Sequence, residues 1–245
     1  MLLISRELKV RYKQTALGAI WVILQPLVPA LIFAVVLGSF ARLPSGGTPY
    51  FLFALSGLVM YGLFSNACSR AAASFLRDGQ LITKVYVPRA VLPLAAGTAA
   101  AVDFAVGGAV VLVLMVAAGV APTVVIVAAP LIAAVVLALG LALGLALAAL
   151  SARYRDFAIA VPFLLQVLLY ASPVVYSSEL VPESLRAVYG LNPLVELIDA
   201  FRSSLLGTSG PTPVDLGLSL GIAAVAVVCA VFVFSRASRD MTDVL

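Results

Sequence analysis

The sequence predicts an all-α integral membrane protein with six transmembrane helices, and three observations lead to that fold class. Hydrophobic residues make up 63% of the 245 positions, charged residues only 11%, and the mean hydropathy is +1.17. The apolar runs are long enough to cross a hydrocarbon core of about 30 Å, which takes about 20 helical residues. The short alternating segments that are typical of barrel strands do not occur in the sequence. A soluble globular fold is therefore excluded.

Residues 1–15 predict an N-terminal amphipathic helix that lies along the membrane surface, with Arg6, Lys9 and Lys13 on one stripe and apolar side chains on another. Six apolar spans are then predicted. They cover residues 16–40, 50–73, 91–120, 124–150, 157–175 and 216–234. Pro26 and Pro29 should kink the first span.

The basic residues predict which side of the membrane each loop occupies. Six spans put both termini on the same side. Arg70, close to the end of span two, is counted here with the loop that follows that span. All but three of the 15 Lys and Arg residues then fall in the two tails and in the loops after spans two and four; the exceptions are Arg42, Arg186 and Arg202. By the positive-inside rule, both termini lie in the cytoplasm.

A charged segment, residues 75–93, lies between the second and third spans and must lie outside the bilayer. Asp78 and Gly79 offer a turn, and Pro88 and Pro93 follow it. We expect a cytoplasmic coupling loop that docks a separate partner protein, because apolar side chains exposed between charges are typical of a docking surface. An ordinary solvated loop is the alternative.

Residues 181–207 predict two external re-entrant half-helices before the last span. Asn192 is a good N-cap, Pro193 fits the first helical position, and Gly207 is a good terminator. The second helix has about 14 residues and a length near 21 Å, so it is too short to cross the membrane. Re-entrant helices are tolerated where protein or a water-filled cavity shelters them.

Several function classes have no support in the sequence. No GxxxxGK[ST] motif occurs, so ATP hydrolysis would have to come from another chain. There is no histidine, and Cys68 and Cys229 form no CxxC pair, which leaves a metal site, a disulfide and Cys/His catalysis without support. The sequence pI near 9.3 is explained by basic cytoplasmic loops rather than by nucleic-acid binding.

Two features of the predicted spans have more than one interpretation. Asp103 is the one acid in the middle of a span, so it could be functional, as in an ion-coupled carrier, or could hydrogen-bond a neighbouring helix. Gly140 and Gly144 form a GxxxG spacing, which in a run this rich in Gly and Ala is weak evidence for a dimer seam.

Four segments of the chain carry a resemblance to a known family: residues 11–33, 56–94, 152–157 and 172–207. In order and in spacing they resemble the membrane subunits of ABC-2 type exporters that move polysaccharides and polyol phosphates, namely O-antigen, capsule and teichoic-acid export permeases. The resemblance implies a homodimer in the bacterial inner membrane that works with two copies of a separate ABC ATPase. ATP and Mg would be bound by that ATPase, with no cofactor on this chain. The substrate would be a polymer attached to an undecaprenyl-diphosphate-type lipid.

The resemblance also implies roles for individual residues. ATPase docking falls to the surface helix and to a cytoplasmic coupling helix within residues 75–93. The docking residues would be Arg6, Lys9, Lys13, Arg77, Asp78, Leu81, Ile82, Lys84 and Val85. The substrate pore would be formed by spans one, two and five around the dimer axis, with Trp21, Tyr61, Phe64 and Tyr170 as lining residues. The external gate would be shaped by Glu196, Asp199 and Arg202. Cations at the cytoplasmic mouth for the lipid diphosphate would be Arg11, Lys13, Arg153 and Arg155.

Each of these roles has a simpler alternative. Basic residues at the N-terminus and the cytoplasmic mouth are also explained by the positive-inside rule, and the aromatic residues by contact with lipid. Asp199 and Arg202 could form a local i, i+3 pair. For the whole protein, the alternatives are a drug or lipid exporter of the same architecture, an ion-coupled carrier that uses Asp103, and a membrane scaffold that transports nothing.

Overall fold

The computed structural model describes residues 20–84, 88–121, 124–154 and 156–238, with the backbone alone for residues 78–84 and 124. The regular structure in these ranges is helical. The α-helices are α1 Ile20–Phe33, α2 Tyr50–Lys84, α3 Val91–Ala117, α4 Ala129–Arg153, α5 Asp156–Tyr170, α6 Glu183–Tyr189, α7 Leu194–Leu206 and α8 Pro213–Ala237. A π-helix, Ala34–Phe40, continues α1, and short 3-10 helices, Val124–Ala128 and Ser178–Leu180, precede α4 and α6.

Five of the described helices are long and apolar enough to cross a membrane. They are α1 with its π-helical extension, α2, α3, α4 with the turn before it, and α8. The predicted all-helical membrane fold is confirmed to that extent. The fifth predicted span, residues 157–175, contains α5, which has only 15 residues, and the turn that follows it. At 1.5 Å per residue, α5 is about 22 Å long, so its role as a sixth span stays a prediction.

The second predicted span ends later than the sequence indicated. No turn forms at Asp78 and Gly79, because α2 stays helical through Lys84. Half of the residues from Phe75 to Lys84 are good helix formers. The cost of one glycine, about 1 kcal/mol, is smaller than the advantage of continuing an established helix. The first half of the predicted coupling loop is therefore a helical extension of the membrane span.

The helix α2 is the centre of the bundle. In its most apolar window 72% of the residues are buried, compared with 11–33% in the other four long helices. It packs mainly against α3 and α4, and also contacts α1, α5 and α7, while α8 packs mainly against α4. A helix that is surrounded on all sides needs apolar or small residues on every face, which matches the Ala, Leu, Phe and Gly content of residues 52–75.

Glycines allow α4 to approach α2 closely. A Cβ at Gly140 would lie 2.8 Å from the carbonyl oxygen of Phe64, and one at Gly144 would lie 2.6 Å from the carbonyl oxygen of Cys68. Real Cβ atoms do not come that near to backbone, so both positions require glycine at this distance between the helices. The GxxxG pair of α4 is thus used within one chain, as an intramolecular seam with α2.

The segment between α5 and α8 forms two short helices, as predicted. The Oδ1 of Asn192 accepts a hydrogen bond from the backbone N–H of Leu194 at 3.1 Å, and Gly207 ends α7 in the left-handed region at φ 69°. The start of α7 is tied to the last span, because Ser219 donates to the carbonyl of Pro193 at 2.8 Å. Most of the circumference of α7 is buried, including Arg202 among the apolar side chains.

The α2–α4 seam can be tested by enlarging one of its glycines. Gly144→Leu should lower the stability of the detergent-purified protein by at least about 1–3 kcal/mol, because the added side chain meets the backbone of α2. The measurement is the temperature at which half of the protein loses its monodisperse size-exclusion peak. Gly221→Leu is the matched control, because Gly221 is an exposed α8 glycine with no neighbouring atom within 4 Å of an added Cβ. Equal midpoints for the two variants would contradict the seam.

Candidate functional site

A cleft of about 320 Å³ opens between α1, α2 and α3, next to one residue of α5. Its lining residues are Val22, Gln25 and Pro26 from α1; Leu58, Val59, Tyr61, Gly62, Leu63, Ser65 and Asn66 from α2; Asp103, Phe104 and Gly107 from α3; and Leu169 from α5. The cleft combines hydroxyl, amide and carboxylate groups with aromatic and aliphatic walls. Such a mixture within membrane-spanning helices is unusual, because polar side chains there are costly unless they are paired or hydrated.

The prolines of α1 add backbone acceptors to this region. Proline has no N–H, so Pro26 and Pro29 cannot donate to the carbonyls four residues earlier, at Val22 and Gln25. Both of those residues line the cleft. The helix continues through the two prolines and becomes π-helical at Ala34, a local widening that is often found near functional sites.

An ion pair crosses from α2 to α3 beside the cleft. The guanidinium of Arg70 donates to the Asp103 carboxylate, and both side chains are largely shielded from solvent. The expectation that Asp103 hydrogen-bonds a neighbouring helix is confirmed. The carboxylate is therefore held by a side chain of α2 and does not stand alone in its span. The geometry therefore gives no support to an ion-coupled carrier centred on Asp103.

The four predicted pore aromatics do not share one lining within a single chain. Tyr61 is 6% exposed and donates its hydroxyl to the carbonyl of Leu165 in α5, and Phe64 is 1% exposed. Phe64 instead borders a second, apolar cavity of about 420 Å³ between α2, α4, α5 and α8. Trp21 and Tyr170 are 51% and 58% exposed on the surface of the bundle. Of the four, only Tyr61 lines the polar cleft.

Arg202 is the most buried charged group at the end of the bundle that carries α6 and α7. It is 1% exposed, and its guanidinium lies 3.7 Å from the centre of the Phe53 ring of α2. It donates to the Asp199 carboxylate at 3.0 Å and to the carbonyls of Pro173 and Val174, each at 2.9 Å. A Cβ at Gly57 would lie 2.5 Å from the same guanidinium, so that glycine makes room for it. Arg202 thereby connects α2, α7 and the turn after α5.

Burial shifts the acid–base properties of the three predicted gate residues. It lowers the pKa of Arg202 to about 10, which still leaves the side chain protonated at neutral pH. It raises the pKa of Glu196 and that of Asp199, and the Arg202 guanidinium opposes the shift at Asp199. Asp199 and Arg202 form the i, i+3 pair that the sequence offered as an alternative, and the pair is buried. Whether these residues gate a pore stays a prediction.

Comparison with known proteins assigns the chain to a family. The family model described as ABC-2 type transporter matches residues 1–206. The chain belongs to the ABC-2 type transporter family.

Proteins with the name O-antigen export system permease protein RfbA are similar to this ABC-2 type transporter. One from Klebsiella pneumoniae is 26% identical over 243 residues, which covers 98% of this chain and 92% of the relative. Another, from Myxococcus xanthus, is 32% identical over 228 residues, which covers 92% of this chain and 86% of the relative. The similarity therefore extends over nearly the full length of both.

Much of the predicted ATPase-docking and lipid-diphosphate surface lies outside the described residues. This holds for Arg6, Lys9, Arg11, Lys13, Val85 and Arg155. Arg77 is exposed on α2, and Asp78, Leu81, Ile82 and Lys84 follow it in the last turns of that helix. Arg153 is exposed in the last turn of α4 and lies 5.3 Å from the Tyr154 ring.

Sequence reasoning missed Gln25, Asn66 and the pairing of Arg70. A signal was present, because Gly62, Asn66 and Arg70 recur every four residues and so share one face of α2. A small residue, an amide and a guanidinium on one stripe of an apolar span indicate a polar contact with a neighbouring helix. Arg70 was instead counted with the loop after the second span.

The Arg202 network can be tested by removing its charge. Arg202→Met should lower the stability of this ABC-2 type transporter by about 3–5 kcal/mol, because it leaves Asp199 as an unpaired buried carboxylate. Arg202→Lys should fall between that variant and the wild type, since an ammonium cannot reproduce the forked contacts of a guanidinium. The measurement is the thermal midpoint in detergent. Arg186→Met, at an exposed arginine of α6, is the control, and a similar loss in that variant would contradict a special role for Arg202.

Proposed function

We propose that this chain is the permease subunit of an ABC exporter that moves a lipid-linked polysaccharide, such as O-antigen or a related cell-envelope polymer, across the bacterial inner membrane. The observation that carries the proposal is the end-to-end similarity to O-antigen export permeases, 98% of this chain and 92% of one relative. Similarity confined to one motif would support only the conclusion that the chain is a membrane protein. Similarity over the whole bundle supports the conclusion that the chain and its relatives perform the same kind of transport.

In this proposal the chain works as a homodimer with two copies of a separate ATPase, which binds ATP and Mg. All six predicted segments, including α5, cross the membrane, and both termini face the cytoplasm. The helices α6 and α7 act as external re-entrant gate helices, held by the Arg202 contacts with α2 and with the turn after α5. The lipid carrier is of the undecaprenyl-diphosphate type and approaches cations at the cytoplasmic mouth.

The length of α2 supports a coupling role for its C-terminal end. Its 35 residues extend about 52 Å at 1.5 Å per residue, which exceeds a hydrocarbon core of about 30 Å. The last turns of α2 therefore extend beyond the membrane on the proposed cytoplasmic side. A force that the ATPase applies there acts directly on the central helix of the bundle.

Docking through α2 predicts the effect of two acidic substitutions. The double variant Leu81→Asp and Ile82→Asp should abolish co-purification of the ATPase and stop polymer export, because it introduces charge into the proposed apolar contact. The measurements are ATPase pull-down from membranes and cell-surface polymer. Val214→Asp is the control, because it adds an acid at an exposed position in the first turn of α8, on the proposed external side. Unchanged association and export in the double variant would contradict coupling through this end of α2.

A further inference from the structure

We propose that the cleft between α1, α2 and α3 is a subsite for the sugar units of the exported polymer, with sugar hydroxyl groups hydrogen-bonded to Gln25, Asn66 and Asp103. The inference rests on the proposed function as a polysaccharide exporter, and adds to it a binding site on this chain. It differs from an aromatic-lined pore on the dimer axis, because the residues that define it are polar and come from three helices of one protomer.

The amide side chains carry the first argument. In the described part of the chain neither the Gln25 amide nor the Asn66 amide has a hydrogen-bond partner, although both lie within membrane-spanning helices and line the same cleft. Gln25 is exposed on the surface of the bundle and Asn66 is half-buried. An amide that faces hydrocarbon without a partner costs several kcal/mol by the estimates for transfer from water. Two such groups that face one cavity indicate that water or a polar ligand satisfies them there.

The charge of the cleft selects the class of ligand. Asp103 lines the cleft, but Arg70 pairs with it from α2, so the two formal charges offset each other. A site for the diphosphate would need an excess of cations, as phosphate groups are held by arginine or lysine. A cleft with amides, a hydroxyl and a paired carboxylate instead fits an uncharged group with many hydroxyls, each of which donates and accepts hydrogen bonds.

The shape of the cleft agrees with this class. Its volume of about 320 Å³ is at the lower end of the range for small-molecule sites, roughly 300–1,000 Å³. The rings of Tyr61 and Phe104 and the aliphatic surface of Pro26 provide apolar walls beside the polar groups. Because the Tyr61 hydroxyl already donates to the Leu165 carbonyl, this residue offers the cleft its ring. Sugar rings have apolar faces and polar edges. The faces can pack on the apolar walls of the cleft, and the hydroxyl groups at the edges can hydrogen-bond to its polar side chains.

A glycine makes the cleft testable without disturbing the packing. Gly62 lines it, and a Cβ added there would have only the Asn66 amide nitrogen nearby, at 4.0 Å. Gly62→Leu should therefore fill the cleft, and since leucine is a better helix former than glycine, the helix should be retained. Gly108→Leu is the matched control, because Gly108 is in α3, outside the cleft lining, with no atom within 4 Å of an added Cβ.

The first experiment measures export of the host's own polysaccharide in cells whose only copy of the permease is the tested variant, expressed with its ATPase. Gly62→Leu should lose about tenfold or more of the wild-type export, and Asn66→Ala about 2–10-fold, the loss expected for one hydrogen bond. Gly108→Leu should export as the wild type does. All variants should retain normal membrane levels and ATPase co-purification, so that a folding or assembly defect is detected separately.

The outcomes distinguish this inference from the function on which it rests. If the wild-type chain itself exports no polysaccharide, the proposed function is wrong. If the wild type exports and Gly62→Leu exports equally well, the function stands and the cleft is not a subsite.

A second experiment tests direct contact in the complete complex. The photoreactive residue p-benzoylphenylalanine replaces Phe104, a wall residue of the cleft that it resembles in shape, or Gly108 in the control, and cells are irradiated during export. Protein adducts should stain for glycan with periodate at position 104 and not at position 108. If the variant exports polymer but position 104 gives no adduct, or an adduct that contains lipid without glycan, the assignment to sugar is wrong.

Discussion

The close contact between α2 and α4 is the constraint on which the other packing in this bundle depends. Gly140 and Gly144 let the backbones approach until a methyl group would not fit, and Gly97 of α3 lies just as close to α2. In a membrane, apolar side chains gain little by leaving lipid for protein, so helix association relies on such close contacts and on polar links. Once α3 and α4 are held against α2, the other long helices have a fixed framework to pack on.

Polar links provide the second part of this association, and each is placed where α2 meets a different partner. Arg70 pairs with Asp103 of α3, Tyr61 donates to the backbone of α5, and Arg202 of α7 lies on the Phe53 ring. Buried charges of this kind are expensive to desolvate, so they are weak evidence for high stability. Their geometric requirements are strict, however, and they define which faces of the helices can meet.

The sequence predicted the features that follow from local patterns. Apolar length identified five long spans and the approximate limits of a sixth segment, and Asn192 and Gly207 correctly bounded α7. Features that depend on residues distant in sequence but close in the fold could not be predicted from the sequence. The burial of Arg202 could not be inferred from a helix with charges at i and i+3, because the carbonyls that accept its hydrogen bonds are 28 and 29 residues away. Likewise, the end of α2 was predicted too early, since a glycine and an aspartate suggest a turn only when no longer helix supports them.

The most consequential result for transport is that one helix contacts all three regions where function is proposed. Near its start, Phe53 and Gly57 lie against Arg202 of α7, one of the two proposed gate helices. In its middle, Gly62, Asn66 and Arg70 lie in or beside the polar cleft. Its last turns, which end at Lys84, carry the proposed docking residues. A continuous helix resists compression along its axis, so a push at the Lys84 end would be transmitted along α2 to the cleft and to the Arg202 contacts. Under the proposed function, a separate ATPase that moves the end of α2 would act on both sites through the backbone of a single helix. Release of a sugar unit from the cleft and loosening of α6 and α7 would then follow from the same movement of α2.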